Sequence, residues 1–469
     1  MDTWDGVVLA AGSGTRMKSK TPKPLHLLNG KPMLGHVLDT IEVALQGQAI
    51  VVASDSTSFG QLFDPNRRYV TQSSMSGTAG AIQSVEPIID ASVQNILVVN
   101  ADNPFISIDS LKKLIQSHEN SDAVLTFLSA FVADRQTLGL VMRDETGQVE
   151  SVVESQDDTA LHGSLFEVNC GAYCINTKWL WDTMPQLQQH ENGEFYITDL
   201  IALASELVGG VVAIVSKDSW EAWGVNTRLD LAAAEKQMRN RTVQRLMKDG
   251  VTFVDPDSAY IESTVVIGQD TIIQPNTYIR GSTQIGSDCK IGPGCQIDDT
   301  TIGDRCTIGS SVLEKTVIQD DVNIGPFCHL RAGSHLSSGV HIGNFGEIKN
   351  SRLGLNVRMG HSSYIGDADI GDNVNIGAGV VTANFDGDEK HRTTIQQDVF
   401  LGVDTMLIAP IKVGARSRTG AGTVLNKDIP ADTMAVGVPA RFWTLKSSEG
   451  SAHDDRNLND NQGIGRKET

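Results

Sequence analysis

Positive charge is scarce in this sequence. Its 469 residues include 38 Lys and Arg against 57 Asp and Glu, which gives a formal net charge of −19. Nucleic acids and membrane surfaces are also anionic and would repel such a chain, so neither is expected as a partner. No stretch approaches the roughly 18 apolar residues that span a bilayer, and no basic and then apolar leader opens the chain. We therefore expect a cytoplasmic protein that holds any anionic ligand through local cations, backbone amides or a metal.

Cysteine is also scarce, and it is not clustered. The six cysteines lie apart without CxxC spacing, at Cys170, Cys174, Cys289, Cys295, Cys306 and Cys328. Disulfide frameworks and zinc sites in a chain of this length need paired spacing. We interpret all six as buried thiols and expect neither zinc nor disulfides.

Up to about residue 226, short apolar segments alternate with segments of helical periodicity. The apolar segments are GVVLAAG, AIVVAS, NILVVNAD and AVLTFLS, and the helical ones include PMLGHVLDTIEVAL and SIDSLKKLIQSH. This alternation is typical of a mainly parallel sheet covered by helices. Residues 227–249 contain strong helix formers before Gly250, and they predict a linking helix.

From about residue 251 the period becomes six. Isoleucines stand six residues apart in IGSDCKIG, IGDRCTIG and IGDNVNIG. One apolar residue at a fixed place in each hexad is typical of a parallel β-helix. The alternative, a β-sandwich, would show polar and apolar alternation with turns every roughly 8–12 residues. The polar tail over 446–469 predicts disorder.

A basic glycine-rich segment, GSGTRMKSKTPK, directly follows the first apolar run. It has Met17 where the dinucleotide fingerprint requires a third glycine, and it lacks the GxxxxGK[ST] spacing. A turn after the first strand of a parallel sheet still lies at the carboxyl edge, where ligands bind. Arg16 and Lys23 would add positive charge there. The alternative is a solvated basic loop.

The order of motifs indicates a family. LAAGSGTRM followed by TPKPL resembles the signature of sugar-1-phosphate nucleotidyltransferases. From about residue 5 to residue 443 the chain resembles the bacterial family of bifunctional N-acetylglucosamine-1-phosphate uridyltransferases/glucosamine-1-phosphate acetyltransferases. The resemblance implies an α/β, Rossmann-like nucleotidyltransferase domain with a mainly parallel sheet over 1–226, the helix at 227–249, and a left-handed parallel β-helix of hexapeptide repeats over 250–445.

The resemblance also implies the residues of a uridyltransfer site. Arg16 and Lys23 would be catalytic, and Asp102 and Asn226 would hold Mg²⁺. Read without the resemblance, Asp102 could equally cap a strand end and Asn226 a helix. The positions that match nucleotide contacts are Leu9, Ala11, Gly12, Lys23, Gln72, Gly77 and Thr78. Those that match sugar contacts are Gly139, Glu154, Asn169, Tyr196, Thr198 and Asn226.

A second set of residues matches the acetyltransfer site of the family. His361 would be the general base that accepts a proton from the sugar amine. The alternative for His361 is a polar residue at a coil corner. The matches to sugar-phosphate contacts are Arg331, Lys349, Tyr364 and Asn375. The matches to acetyl-CoA contacts are Ala378, Asn384, Phe385, Val403, Ala421 and Arg441.

Two of these positions, and one further position near the end of the β-helix, depart from the usual family residues. Phe385 replaces a tyrosine, Val403 replaces a serine, and Gly437 replaces an arginine just before the final VP. Because that arginine is missing, Arg441 is expected to supply the positive charge for the CoA phosphates.

The resemblance thus implies a bifunctional homotrimer that uses Mg²⁺, UTP and acetyl-CoA to make UDP-N-acetylglucosamine. One rival is a monofunctional nucleotidyltransferase whose β-helix serves only trimerisation. The other is a non-catalytic scaffold, which would have no need of Asp102, Arg16 or His361.

Overall fold

The computed structural model divides the chain into two compact units, Met1–Arg241 and Thr242–Thr469, and the boundary falls inside one helix. The residues that the structure describes are 3–55, 59, 63–64, 66–72, 77–135, 138–154 and 165–444. The tail for which disorder was predicted lies outside them.

The first unit is an α/β fold. Its described helices are α1 (Met33–Leu45), α2 (Gly77–Gln83), α3 (Ile108–Glu119), α4 (Thr177–Thr183), α5 (Asp199–Ser205) and α6 (Arg228–Lys248), the last of which crosses the unit boundary. The strands of its main sheet are β1 (Trp4–Leu9), β2 (Ile50–Ala53), β3 (Tyr69–Thr71), β4 (Asn95–Asn100), β5 (Leu125–Val132), β6 (Leu140–Arg143), β7 (Val149–Val153), β8 (Phe166–Asn176) and β9 (Val211–Ser216).

The main sheet has the order β9-β5-β8-β4-β1-β2-β3, and β6 and β7 form a hairpin beside β8. The pairs β4/β1, β1/β2, β2/β3 and β9/β5 are parallel, which confirms the predicted mainly parallel sheet. The long strand β8 is the exception, because it runs antiparallel to β4, β5 and β6.

Both faces of this sheet are covered. On β1, Val8 packs in one apolar cluster with residues of α1 and α3, such as Leu38 and Leu114. Val7 packs in the opposite cluster with residues of α2 and α5, such as Ile82 and Leu200. Consecutive residues of β1 therefore enter different cores, as strand geometry requires.

The second unit contains a stack of triangular rungs whose short strands form three faces. The first face contains Thr252–Phe253, Ile272–Ile273, Lys290–Ile291, Thr307–Ile308, Asn323–Ile324, His341–Ile342, Arg358–Met359, Asn375–Ile376, Phe400–Leu401, Arg418–Thr419, Thr433–Val436 and Arg441–Thr444. The second contains Tyr260–Ile261, Tyr278–Arg280, Gln296–Asp298, Val312–Glu314, His329–Leu330, Gly346–Lys349, Ser363–Gly366, Val381–Ala383, Met406–Ile408 and Val424–Leu425. The third contains Val266–Ile267, Gln284–Ile285, Thr301–Ile302, Val317–Ile318, His335–Leu336, Arg352–Leu353, Ala368–Ile370, Thr393–Ile395 and Ile411–Val413.

The repeated isoleucines form the core of this β-helix. Ile291, Ile308 and Ile324 occupy the same register position on successive rungs and are buried. The polar segment 384–392, between Val381–Ala383 of the second face and Thr393–Ile395 of the third, is an excursion from the corner that joins these faces, because Ile376 still pairs in register with Leu401 on the next rung. The hexad pattern therefore resumes after the excursion, and the β-helix prediction is confirmed. All six cysteines are buried as free thiols in the cores.

Candidate functional sites

The basic loop begins where β1 ends, beside the end of β4. Leu9 pairs with Asn100, and the N–H of Ala101 donates to the carbonyl of Leu9 at 3.0 Å. The chain therefore leaves both strands side by side at the carboxyl edge of the sheet. The glycine-rich loop follows one strand and Asp102 follows the other.

Two of the four basic side chains of the loop, those of Lys23 and Arg16, contact Asp102 or Asn226. The ammonium of Lys23 lies 2.5 Å from Asp102 Oδ2 and 3.0 Å from Asn226 Oδ1. Arg16 Nη2 donates to the same Asn226 oxygen at 3.0 Å. Lys18 and Lys20 are exposed. Four predicted residues, drawn from three distant parts of the chain, thus converge on one cluster of charge.

Asn226 reaches this cluster through backbone contacts. The N–H of Val225 donates to the carbonyl of Asp102 at 3.0 Å, which ties the two loops together. Asp230 accepts from the backbone N–H groups of Asn226 and Thr227 at 3.0 and 2.8 Å, and Thr227 Oγ1 accepts from the N–H of Asp230 at 3.1 Å. This reciprocal pair is a capping box in which Thr227 caps α6, so the Asn226 side chain does not have that role.

A cavity of about 330 Å³ lies beside the cluster. Its lining includes nine of the predicted residues: Leu9, Ala11, Gly12, Arg16, Lys23, Gln72, Gly77, Thr78 and Asp102. Glu194 also lines it, which the sequence analysis did not anticipate. This volume is in the usual range for a small-molecule site.

The wall of the cavity is built around Gly77. Its φ is +78°, and a Cβ there would lie 2.5 Å from the carbonyl oxygen of Phe195, so this position favours glycine for both reasons. Gln72 Nε2 donates to the Gly77 carbonyl at 3.1 Å. Thr78 Oγ1 accepts from the N–H of Ile197 at 2.9 Å. The segment that carries the predicted nucleotide contacts Gly77 and Thr78 therefore contacts the segment that carries Tyr196 and Thr198.

Four of the predicted sugar contacts, Gly139, Glu154, Asn169 and Thr198, form a connected wall, and none of the four is among the residues that line the cavity. The N–H of Asn169 donates to the carbonyl of Gly139 at 2.9 Å, and the Gly139 Cα faces Glu154, since a Cβ there would lie 3.4 Å from Glu154 Oε1. Thr198 Oγ1 donates to that same oxygen at 3.0 Å. Asn169 Nδ2 donates to the buried hydroxyl of Tyr173 at 2.6 Å.

The donor set at the first site suits Mg²⁺. Asp102 and Asn226 offer a carboxylate and an amide oxygen that already converge on one cation, the Lys23 ammonium. Mg²⁺ prefers such oxygen ligands and usually takes only one or two from protein, with phosphates and water completing its shell. In the part of the chain that the structure describes, no group of three or more His, Cys, Asp and Glu side chains could hold a metal.

In the β-helix, the predicted residues occupy two corners of the triangle. His361 lies at the first corner, between Arg358–Met359 of the first face and Ser363–Gly366 of the second, and its side chain is exposed. Ala378, Val403 and Ala421 occupy the equivalent position on the next three rungs, as the pairing of the adjacent strands and corner hydrogen bonds such as Gly422 N to Val403 O show. The predicted general base and three predicted acetyl-CoA contacts thus form one column.

The second corner, between the second and third faces, carries positive charge. The register places Arg331 and Lys349 on adjacent rungs at the end of the second face. The neighbouring ammonium of Lys390, which the sequence analysis missed, lowers the pKa of Lys349 because like charges repel. An anion placed here would relieve this repulsion.

Asp367 is a second residue that the sequence analysis missed. It is buried at the same corner, where it accepts from Asn350 Nδ2 at 2.6 Å and from Asn384 Nδ2. Burial acts to raise its pKa, but these amide donors, with Lys349 and Lys390, lower it overall. Asp367 therefore fixes the side chain of Asn384, one of the predicted acetyl-CoA contacts.

Of the remaining predicted residues, Phe385 adjoins the second corner because it directly follows Asn384, whereas Tyr364, Asn375 and Arg441 lie on the faces. Tyr364 is on the second face and Asn375 on the first, both half-buried. Phe385 is in the excursion, where it is exposed and bridges to Lys390. Arg441 is exposed on the last strand of the first face. One chain thus does not gather the acetyltransfer residues around a single enclosed cavity in its described part.

Family models match both units of the chain. Residues 6–143 match the MobA-like NTP transferase domain. Residues 248–348 match the EIF2B subunit epsilon LbH domain, and residues 351–382 and 392–427 match the hexapeptide repeat of succinyl-transferase. The gap in the last match coincides with the polar excursion.

Curated relatives match nearly the whole chain. Proteins named "Bifunctional protein GlmU" from Heliobacterium modesticaldum and from Exiguobacterium sp. are 39% and 40% identical to it. The matches cover 92% of this chain and 94% and 96% of those proteins. The protein of the same name from Streptococcus agalactiae is 37% identical over 433 residues.

Proposed function

Because this chain belongs to the family of the bifunctional protein GlmU, we propose that it makes UDP-N-acetylglucosamine in two steps. The β-helix acetylates the amine of glucosamine-1-phosphate with acetyl-CoA. The α/β unit then transfers a uridylyl group from UTP to the resulting N-acetylglucosamine-1-phosphate and releases pyrophosphate. One observation supports the proposal above all: Arg16, Lys23, Asp102 and Asn226 converge beside a cavity of about 330 Å³. Relatives in the family match 92% of the chain.

In the uridylyl step, a phosphate oxygen of the sugar phosphate attacks the α-phosphorus of UTP. The bond from that phosphorus to the leaving pyrophosphate breaks, so no protein nucleophile is required. Arg16 and Lys23 offset the negative charge on the phosphates, and the loop amides orient them. Catalysis is thus mainly positioning and electrostatic stabilisation.

Asp102 and Asn226 would hold Mg²⁺ in the loaded enzyme. When bound there, the ion polarises phosphate oxygens and neutralises charge at the reacting phosphorus. The base of UTP would lie against Leu9, Ala11 and Gly12, within reach of Gln72. The wall that joins Gly139, Glu154, Asn169 and Thr198 would hold the hydroxyl and N-acetyl groups of the sugar.

In the acetyl step, the 2-amine of glucosamine-1-phosphate attacks the thioester carbonyl of acetyl-CoA. His361 accepts the proton that the amine loses, and the CoA sulfur leaves and is released as the thiol. Arg331 and Lys349 would bind the sugar phosphate, and Lys390 supports this role by adding charge at the same corner. The column of Ala378, Val403 and Ala421 would line the path of acetyl-CoA beside His361, with Arg441 on the CoA phosphates.

We also propose that the active form is a cytoplasmic homotrimer. Within one chain, His361 and the cationic corner lie at opposite ends of the second face, and a neighbouring copy packed along that face would enclose both. In the described part of the chain, none of the helices is long and apolar enough to span a bilayer.

A two-substrate assay tests the proposal. The full chain is given glucosamine-1-phosphate with acetyl-CoA, and separately N-acetylglucosamine-1-phosphate with UTP and Mg²⁺, and free thiol and pyrophosphate are measured. Both are expected. Absence of thiol release would favour a monofunctional nucleotidyltransferase, and absence of both would favour a scaffold.

Two substitutions separate the halves. Asp102→Ala should abolish pyrophosphate release and spare thiol release, whereas His361→Ala should do the reverse. Loss of both activities in either variant would contradict independent sites.

A further inference from the structure

The two oxygens that would hold Mg²⁺ already share a cation. Lys23 Nζ lies 2.5 Å from Asp102 Oδ2 and 3.0 Å from Asn226 Oδ1. The side chains of Lys23 and Asp102 are only 13% and 21% exposed, so solvent screens this ion pair less than a surface pair. The ammonium thus occupies the place where these two oxygens converge.

The backbone of Lys23 is fixed there. Gly14 has a φ of +59°, and its Cα packs against the Lys23 side chain so tightly that a Cβ on Gly14 would lie 2.7 Å from Lys23 Cβ. Lys23 begins a short turn between Pro22 and Pro24, whose rings restrict the backbone. The main chain is therefore constrained, while the four-carbon side chain can change rotamer.

A divalent cation and this ammonium cannot share the two oxygens. Mg²⁺ binds oxygen at about 2.0–2.1 Å, so an ion on both oxygens would lie where the ammonium now stands. Two cations a few ångströms apart in a partly buried site repel strongly. The metal must therefore displace Lys23.

We propose that Lys23 is the resident counter-ion of the metal-free site, and that the divalent cation releases it to the phosphates of the incoming nucleotide. This inference rests on the proposed uridyltransfer function. Without a nucleotide, the metal would leave the displaced ammonium unpaired beside itself. With a nucleoside triphosphate present, the phosphates accept that ammonium. Metal and nucleotide therefore bind cooperatively, and each raises the affinity of the other by the same factor.

The first test measures Mn²⁺ binding without nucleotide, by electron paramagnetic resonance of the free ion, in the full chain. Lys23→Met removes the competing ammonium and should tighten Mn²⁺ binding by about fivefold or more. Lys20→Met is the matched control, because it removes a positive charge from an exposed position in the same loop. Equal Mn²⁺ affinity in the Lys23→Met and Lys20→Met variants would overturn the proposal.

The second test measures UTP binding in EDTA by calorimetry. Asp102→Asn should release Lys23 and so tighten metal-free UTP binding by several fold. Tighter UTP binding would also arise because the repulsion between the Asp102 carboxylate and the UTP phosphates is lost. The effect of Asp102→Asn is therefore measured again in the Lys23→Met background. The double variant should bind UTP no more tightly than Lys23→Met alone, and an undiminished gain in affinity would overturn the proposal.

These outcomes are distinct from failure of the proposed function. A wild-type chain that releases no pyrophosphate from UTP would contradict the uridyltransfer function itself. A wild-type chain that is active, with Mn²⁺ affinity unaffected by Lys23→Met, would contradict only the role of Lys23 as a counter-ion.

Discussion

Gly14 packs against Lys23 so closely that a Cβ built on the glycine would lie 2.7 Å from the lysine Cβ. The φ of +59° at Gly14 independently disfavours any other residue. This contact determines where the basic loop presents its lysine, and it explains why an acidic chain keeps a glycine-rich turn at this edge of the sheet.

Gly14→Ala should therefore displace Lys23 and slow uridylyl transfer by about 10²-fold, since small displacements at a reacting centre have effects of that size. Thiol release by the β-helix should be unchanged. Steady-state assays of both activities check this. Gly47→Ala is the control, because nothing lies within 4 Å of a Cβ there, and it should leave both activities intact. Equal loss of both activities in Gly14→Ala would indicate general misfolding.

Thr198 joins the predicted sugar contacts to the predicted nucleotide contacts, because it donates to Glu154 at 3.0 Å and is adjacent to Ile197, whose N–H donates to Thr78. Thr198→Val removes the hydroxyl and keeps the shape. The KM for N-acetylglucosamine-1-phosphate should rise about tenfold, as expected for the loss of one hydrogen bond to a charged group. The KM for UTP should change less than about twofold. A larger change for UTP than for the sugar phosphate would contradict the assignment of this wall.

Asp367 is expected to position Asn384 rather than to contact substrate. Asp367→Asn loses the carboxylate that accepts from Asn350 and Asn384, so kcat for acetyl transfer should fall about tenfold or more. The KM for glucosamine-1-phosphate should stay constant or fall, because a negative charge disappears beside Lys349 and Lys390. Pyrophosphate release is the internal control. A rise in the KM for glucosamine-1-phosphate without a fall in kcat would contradict the positioning role of Asp367.

His118 should make the first unit sensitive to acid. It is buried between Thr126 and Asn95, with ring contacts at 2.9 and 3.2 Å, and burial lowers its pKa to about 4 from an ordinary value of 6.5. The unfolded chain therefore takes up a proton at this ring at higher pH than the folded chain. The free energy of unfolding should fall as the pH drops from about 6.5 to 4, by up to about 3 kcal/mol.

Calorimetric unfolding at several pH values checks the role of His118. His118→Gln should show a shallower loss of stability over this range than the wild type. His341→Gln, at an exposed position on the β-helix, should match the wild-type profile. A wild-type slope that persists in His118→Gln would place the acid sensitivity elsewhere.

The fold was largely predictable because its patterns are local. Successive hexads, such as those of Ile302 and Ile308, encode the short strands directly, since one buried apolar residue in each strand stacks on the rung below. The direction of β8 was not predictable in this way. A buried antiparallel strand and a buried parallel strand have the same apolar composition, and the reversal depends on the β6/β7 hairpin that precedes β8.

The sites were less predictable, because their residues meet only in the fold. Lys23, Asp102 and Asn226 are far apart in the chain, and local spacing allowed Asp102 and Asn226 to be simple caps. Asp367 and Lys390 gave no signal, because a polar residue at a coil corner or in an excursion is common in a β-helix. Their roles follow only from the contacts that the corner creates.

If one chain performs both steps in sequence, uridylyl transfer must wait for acetylation. Phosphorus-31 NMR can follow this order, with the chain, glucosamine-1-phosphate, UTP and Mg²⁺ in one tube and acetyl-CoA added last. We expect the paired diphosphate resonances of a UDP-sugar, together with pyrophosphate, to appear only after acetyl-CoA is added. A UDP-sugar that forms before that addition, or none after it, would show that the chain does not couple the two steps.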